Sequence, residues 1–187
     1  MRDADIRFHE AAPQDAPEIA ALHIAAWHDT YRGILPQDML DSLDHGQRTD
    51  LWTRVIAVKA GQAEGAVVLA RHGARLLGFV SYGPQRESDL RGKGYAGEIE
   101  ALYLDRSVQG RGLGRRLLQM AAEGLMRANI AAAALWVLEA NQSACGFYQA
   151  MGGEICGTQI EIRPEATLQD RAYGWLDLGR ILAVTAA

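Results

Sequence analysis

Features that define several other classes of protein are scarce or missing in this chain. Its two cysteines, Cys145 and Cys156, supply neither a disulfide framework nor a zinc site, and the histidine spacing supports no other metal site. No apolar stretch approaches the roughly 20 residues of a membrane span, and the charged residues 1–5 lack a signal-peptide core. A net charge of −4 gives no reason to expect nucleic acid or an anionic membrane as the main partner. We therefore expect a cytoplasmic protein without a bound metal.

The rest of the composition is that of a folded domain of ordinary size. A chain of 187 residues, 49% hydrophobic and 22% charged, can bury a proper core. No internal repeat or linker divides it, so residues 1–187 are expected to form a single domain.

Residues 109–115, with the sequence QGRGLGR, are the most informative segment. An apolar stretch at 99–104 predicts a strand before them, and residues 111–128 are typical of a helix after them. A glycine-rich turn between a strand and a helix directs free backbone N–H groups and the positive end of the helix dipole at one point. This arrangement favours a bound anion such as phosphate, to which Arg111 and Arg115 would add positive charge.

Two common nucleotide-binding motifs do not fit this segment. The P-loop requires a lysine after its last glycine, and the only lysines here are Lys59 and Lys93. The dinucleotide fingerprint G-x-G-x-x-G would place glycine where Arg115 stands. That fingerprint also belongs to the first βα turn of a domain, whereas about a hundred residues precede this one.

A second block follows at residues 141–152, after a predicted strand at 135–139. Its spacing N-x-x-A-x-x-F-Y-x-x-x-G, together with Q-x-x-G-x-G at 109–114, resembles the GNAT superfamily of N-acetyltransferases. The resemblance implies the GNAT acyl-CoA N-acyltransferase fold, an α/β fold of mixed α+β character with a single mixed sheet and helices on both faces. In that fold the cofactor enters where two central parallel strands separate.

The pattern along the chain agrees with such a fold. Strands are predicted at 5–10, 65–71, 75–82, 98–104, 135–139, 154–163 and 171–178, and helices at 13–31, 36–43, 47–59 and 111–128. Residues 84–95 are predicted to form an exposed loop.

Acetyl transfer to an amine needs an acid for the departing thiolate and a base for the amine, whose pKa is about 10. The resemblance assigns the acid to Tyr148, a phenol that is neutral at pH 7. It places the base, usually acting through water, at Glu98. Glu100 is a second candidate on the same face of a regular strand, although a β-bulge would separate the two. The alternative roles are aromatic packing for Tyr148, and solvent exposure or ion pairs with arginines for the glutamates.

The resemblance also implies acetyl-CoA as the co-substrate, with its pantetheine arm on the strand backbone and its diphosphate on the glycine-rich turn. The residues implied are Leu102, Tyr103, Leu104, Gln109, Gly110, Arg111, Gly112, Leu113, Gly114 and Arg115. Asn141 matches a further cofactor-binding position of the family, and it could equally cap the helix that follows it.

The acceptor site is marked less clearly. Trp27 and Tyr31 lie one helical turn apart and, with residues 32–36, are similar to a branch that includes polyamine acetyltransferases. Asp29 and the aspartates at 38, 41 and 44 either favour a cationic acceptor or belong to an ordinary solvated surface. We expect Trp27 and Tyr31 to bind a small primary amine, which takes the acetyl group directly in a ternary complex.

Three alternatives stay open. The acceptor is alternatively a protein N-terminus or a lysine side chain, which a wide groove beside Trp27 would favour over a closed acidic pocket. The chain is alternatively a non-catalytic acyl-CoA-binding sensor, although the presence of Tyr148 argues against that. A homodimer is considered because the tail at 181–184 is apolar.

Overall fold

The computed structural model describes residues 5–162 and 166–185, in which seven strands form one sheet in the order β1-β2-β3-β4-β5-β7-β6. The strands are β1 (Ile6–Glu10), β2 (Ala66–His72), β3 (Arg75–Pro84), β4 (Gly97–Leu104), β5 (Ala133–Leu138), β6 (Glu154–Ile162) and β7 (Thr167–Trp175). The helices are α1 (Ala16–Tyr31), α2 (Gln37–Asp41), α3 (His45–Lys59), α4 (Ser88–Gly92), α5 (Leu113–Arg127), α6 (Gln142–Ala150) and α7 (Gly179–Ala183). The predicted fold class, a single mixed sheet with helices on both faces, is confirmed.

The central pair of strands determines where a ligand can enter the sheet. β4 and β5 run parallel, but they pair only at Gly97 with Ala133 and at Glu98 with Ala134. All other neighbouring strands pair antiparallel. Beyond Glu98 the two central strands separate, so the gap that the resemblance implied is present.

Hydrophobic packing covers both faces of the sheet. On one face α5 buries Leu117, Leu118 and Leu125 completely, and full burial of a side chain of this size contributes roughly 2 kcal/mol. On the other face Ile19 of α1 and Trp52 of α3 pack in a second cluster against β2 and β3. Strand β4 therefore lies between two layers of helices, which hold its side chains in place.

The prediction of an exposed loop at 84–95 is wrong in part, although most of its residues are exposed. Residues Ser88–Gly92 form α4, and Gln85, Leu90 and Tyr95 are buried. Leu90 and Tyr95 pack in a small cluster against β5 and β7. The sequence did not predict these contacts, because the segment is polar and only two of its side chains, Leu90 and Tyr95, belong to the apolar cluster.

The chain end is also more ordered than its sequence suggests. β7 begins four residues before the predicted start at 171. Helix α7 follows it, and Ile181 is fully buried against the cluster that α5 forms. The apolar tail considered as a dimer surface therefore covers the core of its own chain. Among the residues that the structure describes, no helix has the length and apolarity to span a bilayer.

Candidate active site

A continuous cleft of about 1080 Å³ opens where β4 and β5 separate. It extends from α1 on one side of the sheet to the turn before α5 and helix α6 on the other. The sequence-predicted residues that line it are Trp27, Tyr31, Glu100, Leu102, Tyr103, Leu104, Gln109, Gly110, Gly112, Gly114, Arg115, Asn141 and Tyr148. Glu98, Arg111 and Leu113 are not among the lining residues.

The glycine-rich turn supplies a backbone cradle at one end of the cleft. Gly110 and Gly112 have φ angles of 71° and 82°, a left-handed conformation that glycine adopts without strain. Helix α5 therefore starts at Leu113, two residues later than predicted. No side chain caps its N-terminus in the described structure, so its first N–H groups are available to an anion.

The residues that follow Gly112 divide between core and cleft. The Leu113 side chain is buried in the core, so only its backbone can contribute to the cradle. Arg115 lines the cleft, and its Nη1 donates to the carbonyl of Thr185 at 3.2 Å. A Cβ atom on Gly114 would lie 3.2 Å from Leu104 Cδ1, which shows how closely α5 packs on β4.

Helix α6 presents Tyr148 to the middle of the cleft. Asn141 caps the helix, because its Oδ1 accepts the N–H of Ala144 at 3.1 Å. Asn141 and Tyr31 both line the cleft, and the Asn141 side chain is near enough to lower the pKa of the Tyr31 phenol. The capping role considered from the sequence is thus confirmed, whereas a contact with a cofactor stays a prediction.

The ring of Tyr148 is fixed by aromatic neighbours. Its centroid lies 5.2 Å from Phe147, 6.0 Å from Tyr173 and 6.3 Å from Trp175. Burial raises the pKa of the Tyr148 phenol well above its ordinary value, and the nearby Tyr103 phenol raises it further. The phenol is therefore a neutral proton donor at physiological pH.

The two candidate bases on β4 have different surroundings. A register shift pairs Ser81 with Ala101 and the next residue, Tyr82, with Ile99, so Glu100 is the extra residue of a β-bulge. Glu98 accepts hydrogen bonds from Arg86 and does not line the cleft. Glu100 lines the cleft.

Aromatic side chains line the part of the cleft where the acceptor is expected, and we call Trp27, Tyr31 and Tyr103 the acceptor wall. Trp27 Nε1 donates to the Tyr103 hydroxyl at 2.9 Å, and the rings of Trp27 and Tyr31 meet edge to face at 5.1 Å. Burial raises the pKa of Tyr103 to about 12, so this phenol is also neutral. Burial likewise raises the pKa of Tyr31.

A buried histidine supports the acceptor wall from behind. The His23 ring stacks on Tyr103 at 4.6 Å, and its Nδ1 accepts a hydrogen bond from Trp52 Nε1 at 3.1 Å. Burial lowers the pKa of His23 to about 4, and the charge of Arg48 lowers it further. The imidazole is therefore neutral at pH 7, which is consistent with a structural role.

Sequence reasoning missed several residues of the acceptor end. Trp136 of β5 and Leu168 and Asp170 of β7 line the cleft. Leu168 packs in one cluster with Tyr31 and Leu40, and this contact joins the α1–α2 region to β7. Nothing in the sequence marked the β7 residues, because they follow both motifs and belong to no pattern.

The aspartates considered as acceptor ligands fall into two groups. Asp29 lines the cleft and lies 3.7 Å from the Arg106 guanidinium. Asp41 accepts a hydrogen bond from Gln37, and Asp44 caps α3 by accepting the N–H of Gln47 at 2.8 Å. Asp38, Asp41 and Asp44 do not line the cleft, in agreement with the solvated surface that was the alternative.

A mixed sheet that separates between its central parallel strands, with a glycine-rich helix start beside the gap, places this protein among the N-acetyltransferases of that fold. The match of the acetyltransferase (GNAT) family to residues 18–153 covers well over half of the 187 residues. The chain belongs to this family.

Two relatives are similar over nearly the whole chain. The uncharacterized N-acetyltransferase YuaI of Bacillus subtilis (strain 168) is 33% identical over 94% of this chain and 96% of its own length. The probable N-acetyltransferase Rv2775 of Mycobacterium tuberculosis is 29% identical over 88% of each chain.

Solved structures confirm the fold at lower identity. The PaiA N-acetyltransferase of Thermoplasma acidophilum, in complex with coenzyme A, is 18% identical and has a TM-score of 0.67 over 90% of this chain and 99% of its own. The putative acetyltransferase YncA of Salmonella typhimurium, with its cofactor acetyl-CoA, is 17% identical and has a TM-score of 0.66 over 97% and 96% of the two chains.

Proposed function

We propose that this protein transfers the acetyl group of acetyl-CoA to the primary amine of a small molecule, by direct transfer in a ternary complex. One observation carries the proposal. The same cleft contains the uncapped start of α5, Tyr148 and the acceptor wall. The thioester of acetyl-CoA and the acceptor amine can therefore meet beside the neutral phenol of Tyr148. We take the chain to act as a single domain in the cytoplasm.

The described residues fit acetyl-CoA as co-substrate. The free N–H groups at the start of α5 and the Arg115 guanidinium suit its diphosphate. The part of β4 at Leu102–Leu104 has no partner on its β5 side, which leaves backbone groups that can pair with the amides of the pantetheine arm. The family membership and the ligands of the PaiA and YncA structures support the same co-substrate.

The chemistry follows from the protonation states. An amine bound beside the acceptor wall must lose a proton before its nitrogen can attack the thioester carbonyl carbon. A carboxylate of β4 takes that proton, and one backbone N–H of β4 stabilises the oxyanion. As the carbon–sulfur bond breaks, the bonded nitrogen gives its second proton to solvent, and Tyr148 gives its proton to the departing thiolate and is reprotonated from solvent. The products are the acetamide and the free thiol of coenzyme A.

Side-chain packing beside the acceptor wall supports a small acceptor. The packing of Tyr31 and Leu40 against Leu168 connects α1 and α2 with β7 across this end of the cleft. A peptide would need an open groove in the same place. Asp29 and Asp170 among the lining residues are compatible with a cationic amine. Protein N-termini and lysine side chains are the alternative acceptors.

The experiment is free-thiol release from acetyl-CoA across a panel of polyamines, amino acids, aminoglycosides and short peptides. One small amine with a rate well above the background hydrolysis would support the proposal, and a response to peptides alone would move the acceptor to the protein class. Coenzyme A binding by calorimetry without thiol release on any amine would favour a non-catalytic sensor.

A further inference from the structure

We infer that Glu100, and not Glu98, accepts the proton that the acceptor amine loses. This inference rests on the proposed function and departs from the family resemblance, which places the base at Glu98. The observations that carry it are the hydrogen-bond partners of the two carboxylates and their positions relative to the cleft.

The Glu98 carboxylate is fully engaged away from the cleft. Arg86 Nη2 donates to Oε1 at 2.6 Å, and Arg86 Nε donates to Oε2 at 3.0 Å, which forms a two-bond fork. The backbone N–H of Arg86 adds a third bond to Oε2 at 3.1 Å. The Glu98 side chain is 8% exposed and does not line the cleft, so the fork fixes the segment after β3 to β4 and leaves no free approach for an amine.

The Glu100 carboxylate has two hydrogen-bond partners, and its side chain is 15% exposed. Its Oε1 accepts from Lys59 Nζ at 2.9 Å, and its Oε2 accepts from the buried Ser81 hydroxyl at 2.5 Å. Each oxygen therefore keeps a lone pair, since an ionised carboxylate has about four acceptor positions. The β-bulge gives this residue its orientation, and Glu100 is among the residues that line the cleft, as Tyr148 is.

Lys59 occupies a site formed around its ammonium group. Nζ donates to the carbonyl of Tyr82 at 2.7 Å as well as to Glu100, and its side chain is 10% exposed. A Cβ atom on Gly65 or Gly83 would lie 3.2 Å or 2.8 Å from Nζ, so the two glycines make room for it. Lys59 and Ser81 are therefore positioning residues, which fix the Glu100 carboxylate in one orientation.

The proton balance of the step is complete. The ammonium group of the acceptor gives one proton to Glu100, its nitrogen forms the new bond to the acetyl carbon, and the bonded nitrogen then gives a second proton to solvent. The sulfur leaves and takes the Tyr148 proton, after which solvent receives the proton from Glu100 and restores that of Tyr148. The sum is one acetamide, one thiol and one released proton.

The matched test is Glu98→Gln against Glu100→Gln, measured with the amine that the wild-type enzyme acetylates best. Each variant removes one charge from a largely buried carboxylate on the same strand. We expect Glu100→Gln to lower kcat by about 10²- to 10⁴-fold without changing the Kd of acetyl-CoA, because a positioned base contributes an effect of this size. Glu98→Gln is expected to keep kcat within about threefold once thermal unfolding shows that it is folded.

Lys59→Met adds a readout that a structural role would not change. The charged and polar groups around Glu100 are Lys59 of α3, Ser81 of β3, Arg86, and Glu98 on the same strand. Without Lys59 the carboxylate loses one of its two hydrogen-bond donors, so kcat should fall while the KM of the amine, the Kd of acetyl-CoA and the thermal unfolding stay close to those of the wild type. A variant that unfolds at a lower temperature and keeps its kcat would assign Lys59 to folding alone and contradict its positioning role.

The outcomes separate the two proposals. An active wild-type enzyme whose Glu100→Gln variant keeps its kcat, or whose Glu98→Gln variant alone loses it, would overturn the inference and leave the proposed function standing. A wild-type enzyme that acetylates no amine of the panel would overturn both, since there would be no proton to accept.

Discussion

The two ends of the cleft are constructed in different ways. The end that we propose for the cofactor consists of backbone groups from one short segment, residues 109–115, whose glycines and helix start expose N–H groups. The end that we propose for the acceptor consists of side chains from distant parts of the chain, such as Trp27 and Asp170. A backbone cradle recognises the part of a substrate that does not vary, whereas a side-chain wall can change with the acceptor. The difference explains why the co-substrate is easier to identify than the amine.

The largest expected effect is at Tyr148, where the two ends meet. Tyr148→Phe keeps the aromatic packing with Tyr173 and Trp175 but removes the acid. We expect kcat to fall by about 10²-fold or more with the Kd of acetyl-CoA unchanged. Steady-state kinetics and calorimetry on the same preparation check this. Unchanged turnover would remove Tyr148 from the mechanism.

The second prediction concerns the support of the acceptor wall. The pKa of His23 is lowered from 6.5 to about 4 by burial, so the unfolded chain binds a proton in this range and the folded protein does not. Stability should therefore fall as the pH drops from about 6.5 towards 4, with this residue contributing about 2 kcal/mol of the loss by pH 5. Urea unfolding at pH 7 and pH 5 measures the change.

The control for this prediction is His23→Gln, which has no titratable group in this pH range. Between pH 7 and pH 5 the free energy of unfolding of the variant should fall by about 2 kcal/mol less than that of the wild type. An identical pH dependence in the two proteins would contradict a neutral, buried His23.

The third prediction addresses the cofactor end. Gly112→Ala forces alanine to adopt a φ angle of 82° and displaces the start of α5, so the Kd of coenzyme A should rise by about tenfold through weaker N–H contacts. The matched control is Gly61→Ala, at a φ angle of 84° with no atom within 4 Å of the added Cβ. Both variants should lose similar stability, and only Gly112→Ala should lose affinity. Equal affinities of the two variants for coenzyme A would show that this turn does not bind the cofactor.

The smallest expected effect is at the hydrogen bond between Trp27 and Tyr103. Tyr103→Phe removes the hydroxyl that accepts the hydrogen bond from Trp27. One such bond contributes about 1 kcal/mol, which corresponds to a loss of about fivefold in kcat/KM for the amine. In a double-mutant cycle with Trp27→Phe the two effects should be less than additive, because the variants remove one shared bond. The Kd of acetyl-CoA should not change. Fully additive losses would show that the bond does not position the acceptor.

The sequence was sufficient for the parts of the site that lie in contiguous segments. Residues 109–115 and 141–152 carry their own spacing, so the strand, turn and helix around each could be predicted before the structure. The start of α5 was placed two residues early, because the left-handed φ of Gly112 ends the turn and is not visible in composition.

The remaining features depend on contacts between distant residues. Trp136, Leu168 and Asp170 reach the cleft only because β5 and β7 are neighbours in the sheet. The choice between Glu98 and Glu100 depends on a bulge and on two cations, Arg86 and Lys59, that no local pattern connects to them. Tertiary pairing of this kind cannot be derived from residue spacing in a single chain.

The most direct test of the account follows the acetyl group itself. Acetyl-CoA labelled with carbon-13 in the acetyl group is incubated with the wild-type enzyme and the amine panel, and the products are identified by mass spectrometry. The account predicts a labelled acetamide of one small amine, formed in equal amount to the free coenzyme A and only when both reactants are present. Labelled acetate in place of an acetamide, or bound coenzyme A with no labelled product, would contradict it.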